Sequence, residues 1–467
     1  MTLKNINVLV LLFFLIINTI KGDCEACCED CCKDCVKKES EGINSKENEN
    51  NEEEESYEEK SEKKSNNSPQ NNFFMGNNNQ YNFQNNNQYN FQNNFQKNRF
   101  ITGETLGLQN VGATCYMNAT LQCLFHIKEL SFFFLNWYYS LYNSFSCNPF
   151  YLSNVLNGKR LFPQYMNLLC QVFYPEFNGN QNKYYAPQAF KDTISDINPL
   201  FQGIQANDAK DLLQCILENL HNELKMPTQP FKDYYYDQRD EKATMQYFYD
   251  SFITQNQSPI FSYIYGITRI EGKCLTCNIK KYNFQSYNLL YFPLKEAKRI
   301  ALLRKKKENE NFDEKNYILN LEDCFAYSEQ VDHFTGDNKM YCNYCQQEED
   351  ADSQTVLYTT PTVLAIVLNR GRANLDFQEN FKFGLDLDIK KYIHNTDIKH
   401  GKYYLIGMVV HSGESSMAGH FIAYCRMDKN SKWFCYNDAY VTECNDIEEK
   451  FNVNKPYILF YHYDNDV

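Results

Sequence analysis

The hydrophobic pattern divides the chain into four stretches. Residues 6–20, INVLVLLFFLIINTI, form one apolar run. As a helix, fifteen residues span roughly 22 Å, short of the ~30 Å hydrocarbon core of a bilayer. That length suits the apolar region of a signal peptide, with Lys4 before it, but Ile20 stands where cleavage before Lys21-Gly22-Asp23 wants a small residue. A cleaved signal, a retained membrane anchor and a mispredicted start all stay open for residues 1–20. In residues 21–38, Cys24, Cys27, Cys28, Cys31, Cys32 and Cys35 recur at offsets that put all six on one helical face. Such a face suits S-acylation beside an apolar run, thiolate binding of a soft metal, or nothing beyond an incidental stripe. Residues 39–100 have no apolar periodicity: an acidic run gives way to Asn/Gln-rich sequence in which NNNQYNFQ occurs twice in tandem from Asn77 to Gln92. Sequence of this kind buries too little apolar surface to offset ordering entropy, so a disordered tether is expected.

From residue 101 to 467 the pattern is globular. Its first half reads helical. After Cys115, the residues Met117, Leu121, Leu124 and Phe125 recur on one helical face. The second half carries strand-like runs at Thr362–Leu368, Tyr403–Val410, His420–Tyr424 and Tyr457–Tyr463. Helices followed by strands, rather than alternating with them, predict an α+β domain.

Composition changes this picture in two places. The net charge of −13 over 467 residues argues against a nucleic-acid partner, which requires phosphate-neutralising cations. Just over half of that charge sits between Glu39 and Ser65, where eleven Glu face four Lys. The 19 cysteines include the six of the N-terminal face and two C-x-x-C pairs. The other nine are scattered, as reduced thiols are, rather than spaced as a disulfide framework.

Three features carry chemistry. In Gly107-Leu-Gln-Asn-Val-Gly-Ala-Thr-Cys115-Tyr-Met-Asn118 a tight glycine loop delivers Cys115 to a helix N-terminus. There the macrodipole favours thiolate, and a nearby imidazolium would favour it further. Taken alone, the cysteine is equally a buried thiol in a turn. Late in the chain, His420 opens a strand after the loop from His411 to Gly419, with His411 as the weaker candidate base. In Trp433-Phe-Cys-Tyr-Asn437-Asp438 a polar side chain is placed to fix the His420 tautomer. Finally, Cys274-x-x-Cys277 and Cys342-x-x-Cys345 have the spacing of a four-cysteine zinc site, the alternative being free thiols or a redox pair. The run Lys305-Lys-Lys-Glu-Asn-Glu-Asn-Phe between the pairs reads as a solvated insertion.

On these residues the chain resembles the ubiquitin-specific proteases, a papain-like deubiquitinase family. The match runs through the cysteine box Gly107–Asn118, the stretch Gln205-Ala-Asn-Asp208-Ala-Lys-Asp211, the histidine box from Tyr403 through His411-Ser-Gly and Gly419-His420, then Trp433, Asn437-Asp438 and Tyr457-Ile-Leu-Phe-Tyr461. It covers about 360 residues. The chain departs from the family pattern at Phe421 (usually Tyr), Asp211 (usually Glu) and Asn369-Arg370-Gly371 (usually Lys-Arg-Phe). The last two of these bear on substrate grip.

The resemblance implies Cys115 as nucleophile, His420 as general base, Asn437 as third triad member with Asp438 as substitute or supporter, and Asn110 as donor to the oxyanion. It also implies a helical thumb near 105–225, a β palm, and fingers tipped by a structural Zn2+ on Cys274, Cys277, Cys342 and Cys345. The expected activity is thiol-dependent hydrolysis after the C-terminal glycine of ubiquitin, with ubiquitin and ubiquitinated proteins as partners. An exported thiol protease of other specificity and an inactive ubiquitin-binding scaffold are the alternatives. The expected compartment is the cytosol, with membrane association through the N-terminus, or the secretory pathway if residues 6–20 are a cleaved signal.

Overall fold

The computed structural model describes residues 105–144, 160–174, 183–370, 379–395, 401–415, 418–453 and 455–464. The apolar run, the six-cysteine face and the tether lie outside the described residues. Among those described, no helix is long and apolar enough to cross a membrane.

The first half is helical, as its pattern predicts. Five helices, Cys115–Phe125, Lys128–Ser144, Leu161–Phe173, Gln188–Ile197 and Ala209–Leu224, build a thumb. The last of them shows how sequence sets such an element. Asp208 caps it by accepting from the Lys210 amide, and Leu212, Leu213, Ile216, Leu217, Leu220 and Leu224 bury one side.

The cysteine helix departs from its expected one-sided pattern: every residue from Cys115 to Phe125 is buried. It is wedged between thumb helices and the palm strands. Its polar residues are therefore hydrogen-bonded inward. Gln122 Nε2 donates to the Leu106 carbonyl at 2.8 Å, and Thr120 Oγ1 donates to the Tyr116 carbonyl at 2.7 Å.

The palm is a sheet ordered Tyr440–Cys444, Trp433–Asn437, Ala418–Cys425, Lys402–Ser415, Lys455–Tyr463, Val363–Asn369, Leu289–Pro293, with Asp386–Asp388 also pairing Lys402–Ser415. Its pairings are antiparallel except the last in that order, between Val363–Asn369 and Leu289–Pro293. Val363 through Leu368 form a continuous apolar run because both faces of that strand are covered.

The fingers are a second, antiparallel sheet ordered Lys280–Tyr287, Gly266–Cys274, Ala351–Thr359, Val331–Phe334, with the short hairpin Met340–Cys342/Gln347–Glu349 beside it. This is the α+β, thumb, palm and fingers architecture expected from the sequence. The Lys305 run is solvated, and its first four residues, Lys305 to Glu308, are the last turn of helix Leu294–Glu308, which buries Leu294, Ala297 and Ala301.

Candidate active site

The loop before Cys115 is organised around one side chain. Asn110 Oδ1 accepts from the Thr114 amide at 2.9 Å, the Gly112 amide at 3.3 Å and the Thr114 hydroxyl at 3.3 Å. Thr114 Oγ1 in turn accepts from the Val111 amide at 3.0 Å. The turn closes through Gly112 and Ala113, both at positive φ, and the helix begins at Cys115.

His420 stands on the strand Ala418–Cys425, with Gly419 beside it. A Cβ at position 419 would lie 2.1 Å from His411 Cε1, so only glycine lets the two histidine-bearing strands approach this closely. His411 itself is buried against the Phe421 ring, and burial lowers its pKa. It is not the residue that meets the thiol.

His420 is. It hydrogen-bonds the Cys115 side chain, and that bond is the largest influence raising its pKa, to about 9, against the opposing pull of desolvation. Its Nε2 donates to Asn437 Oδ1 at 2.7 Å, which leaves Nδ1 for the thiol. Asp438 Oδ2 lies 3.8 Å from the same Nε2 and adds a charge that favours the imidazolium.

Asn437 ends one strand of a tight hairpin, paired with Tyr440, and Asp438 turns the corner with φ +49°. The corner is fastened to the cysteine loop. The Leu108 amide donates to the Asp438 carbonyl at 2.9 Å, and a Cβ on Gly107 would meet the Ala439 carbonyl oxygen at 2.4 Å. The Asp438 carboxylate accepts from Asn110 Nδ2 at 3.0 Å and from Asn118 Nδ2 at 2.8 Å. The structure thus brings Cys115, His420, Asn437, Asp438 and Asn110 to one place.

Sequence reasoning missed Asn118. Asn118 closes the cysteine box, and its position one helical turn beyond Cys115 is the signal that it faces the same site.

The departures from the family pattern have different surroundings. Asp211 is half exposed and accepts from Lys210 Nζ at 3.1 Å, beside Asp208, on which the Tyr457 hydroxyl is bonded at 2.7 Å. Arg370, the middle residue of Asn369-Arg370-Gly371, is buried and donates to the carbonyls of Pro456 at 2.8 Å and Glu379 at 2.6 Å.

At the fingertip the four thiols of Cys274, Cys277, Cys342 and Cys345 lie within 4.8 Å of one another. Cys274 and Cys345 sulfurs are 4.0 Å apart, and those of Cys277 and Cys342 are 3.7 Å apart. A tetrahedral ion with metal–sulfur bonds of about 2.3 Å separates its sulfurs by roughly 3.8 Å. The two turns are alike: Asn278 and Gln346, each following the second cysteine, adopt φ of +57° and +58°. The Cys345 amide points at Cys342 Sγ at 3.5 Å and helps lower that thiol to about 7. The donor set therefore suits a metal ion.

The chain is 25% identical over 367 residues to human ubiquitin carboxyl-terminal hydrolase 2, a match covering 76% of this chain and 54% of that one. It is 23% identical over 385 residues to ubiquitin carboxyl-terminal hydrolase 4 of Saccharomyces cerevisiae, covering 76% and 39%. It therefore spans about half the length of such curated relatives, or less. Among solved structures, the fold resembles a chain of the SAGA deubiquitinating module Ubp8/Sgf11/Sus1/Sgf73 bound to monoubiquitin. There the TM-score is 0.55, with 21% identity over 79% of this chain and 70% of that one. The family profile described as ubiquitin carboxyl-terminal hydrolase matches residues 106–461, and the chain belongs to that family.

Proposed function

We propose that the protein is a thiol-dependent deubiquitinase that hydrolyses the isopeptide or peptide bond after the C-terminal glycine of ubiquitin. The observation that carries this is the line Cys115, His420, Asn437 at the junction of thumb and palm, in a chain of this family.

Cys115 Sγ attacks the carbonyl carbon while its proton resides on His420. The oxyanion that forms is met by a backbone amide of the loop and by Asn110. Asn110 Nδ2 carries two hydrogens. One holds Asp438, and the other remains for the oxyanion, where such a donor stabilises the intermediate by about 3–4 kcal/mol. His420 then gives its proton to the departing amine, and the acyl-enzyme thioester remains. Water that loses a proton to His420 attacks this thioester, releasing the ubiquitin carboxylate and restoring the thiol.

The fingertip ion in this reading is zinc, held by four thiolates and structural rather than catalytic; support comes from the sulfur spacing and the paired turns. For compartment, the reading adopted is a cytosolic catalytic domain tethered to a membrane by the N-terminus, since the apolar run adjoins the thiol face. N-terminal sequencing of the mature protein tests it: a chain starting near Asp23 removes the anchor.

The enzymatic reading is tested with ubiquitin carrying a C-terminal fluorogenic amide and with ubiquitin carrying a C-terminal electrophile. The wild type should cleave the first and be captured by the second at Cys115. Cys115→Ala should do neither yet still bind ubiquitin, because affinity comes from an extended surface and not from the nucleophile. Turnover by purified Cys115→Ala would end the assignment.

A further inference from the structure

Asn118 lies three residues beyond the nucleophile on the same helix, and its side chain is buried. Its Nδ2 faces three acceptors: the Leu108 carbonyl at 3.0 Å, the Gln109 carbonyl at 3.3 Å and Asp438 Oδ1 at 2.8 Å. Three acceptors around one atom fix which end of the amide is nitrogen. The other end, Oδ1, is buried and has no hydrogen-bond partner among the described residues. A residue present only to fill space would not carry an orphaned acceptor. An amide whose two N–H groups are shared among three oxygens has nowhere else to put its own.

The three acceptors belong to separate parts of the machinery. Leu108 and Gln109 lead directly into Asn110 and the loop that presents Cys115. Asp438 is the corner of the hairpin whose Asn437 orients His420, and it holds a left-handed φ that aspartate tolerates better than most non-glycine residues. Asp438 divides its oxygens: Oδ1 goes to Asn118, while Oδ2 faces both Asn110 Nδ2 and His420 Nε2. With Oδ1 anchored, the carboxylate cannot rotate, and Oδ2 stays aimed at the imidazole and the oxyanion donor.

We infer that Asn118 is a positioning residue that clamps Asp438, and through it sets both the imidazolium of His420 and the amide of Asn110, by tying the nucleophile helix, the oxyanion loop and the histidine-orienting hairpin together with one side chain. It touches neither substrate nor reacting atoms. The inference rests on the deubiquitinase reading only for the turnover assay; the clamp itself concerns the chain's own groups.

The test is a double-mutant cycle on the full chain: wild type, Asn118→Ala, Asp438→Ala and the double variant, with Asn118→Ser as a milder change that keeps a short donor. Two readouts are taken for each. The first is kcat and KM on ubiquitin with a C-terminal fluorogenic amide, as a function of pH. The second is the pH profile of Cys115 alkylation by iodoacetamide, followed by peptide mapping. Removing a charge-assisted hydrogen bond should lower kcat roughly tenfold to a hundredfold, with KM little changed. It should also move the alkaline limb of the pH profile downward, because Asp438 no longer supports the imidazolium. Asn118→Ser should fall between.

The decisive expectation is non-additivity: once Asp438 is alanine, Asn118→Ala should cost almost nothing further in either readout. Additive effects, or a loss of activity with the pH limb unmoved, would overturn the clamp and leave Asn118 a residue of the fold. If Asn118→Ala does not fold, the same cycle run with Asn118→Ser decides in the same way. A wild type that turns over no ubiquitin substrate, with alkylation profiles that still couple non-additively, would sink the substrate reading and leave the clamp standing.

Discussion

At the scale of single residues, the protonation of His420 is the quantity on which the site turns. An isolated imidazole loses its proton near 6.5, whereas here the hydrogen bond with Cys115, then Asn437 and the charge of Asp438, hold it to about 9 despite burial. The sign follows: a raised histidine pKa favours the folded, charged arrangement below 6.5 and loses that support as pH rises through about 9. Expulsion of the amine needs the proton on His420, so kcat/KM on a ubiquitin amide should fall above a limb near 9. Asp438→Asn should shift that limb to lower pH, and Asn437→Ala should shift it further, since the direct acceptor at 2.7 Å lies closer than the charge at 3.8 Å. A profile flat from pH 7 to 10 would contradict this assignment. In Cys115→Ala the largest influence is gone, and nuclear magnetic resonance titration of His420 should return its pKa towards 6.5.

At the scale of elements, the site depends on two close approaches that only glycine permits. Gly419→Ala would drive a Cβ into His411 and to within 2.7 Å of the Ser412 carbonyl, so the histidine strand must shift outward. Overpacking of this kind costs about 1–3 kcal/mol. Because the displaced strand carries His420, kcat should fall by more than the melting temperature suggests. Equal kcat in wild type and variant would show the strand to be compliant.

The same elements show what the sequence could and could not convey. Cys115 at a helix start, His420 on a strand and Asn437-Asp438 just after a tryptophan were readable, because turn glycines and motif spacing are local. The burial of the cysteine helix on all sides was not. Its polar residues Asn118, Thr120 and Gln122 imitate a solvent face, yet Asn118 and Gln122 bond to the Asp438 carboxylate and the Leu106 carbonyl outside the helix, and Thr120 bonds back to the Tyr116 carbonyl within it. The interior place of Arg370 was equally illegible, because the two backbone carbonyls that hold it, of Pro456 and Glu379, become its neighbours only through the fold.

At the scale of the whole molecule, the palm is assembled from strands spread between Leu289 and Tyr463. Leu289–Pro293 pairs in parallel with Val363–Asn369 only because the chain between them makes a helical excursion and builds half of the fingers before returning. Periodicity reveals the strands but not this order, which comes from long-range register. The two C-x-x-C pairs offered one long-range constraint on it: they join the turn after Gly266–Cys274 to the Met340–Cys342 hairpin, 65 residues apart at the Cys277–Cys342 contact. That closure also predicts how the molecule fails. A four-thiolate ion at the fingertip would fix two turns whose Asn278 and Gln346 sit in left-handed conformations with no glycine to relax them. Metal analysis of purified protein should find one zinc per chain. Cys274→Ser or Cys342→Ser should lose it, and a loss of even a few kcal/mol should lower the melting temperature by roughly 5–10 °C. The Cys115–His420 pair belongs to thumb and palm, so the pH–rate profile of whatever fraction stays folded should keep its limb near 9 while the yield of active enzyme drops. Full activity and an unchanged melting temperature in a preparation free of zinc would refute the metal site, and a shifted limb would show that the fingers reach into the chemistry after all.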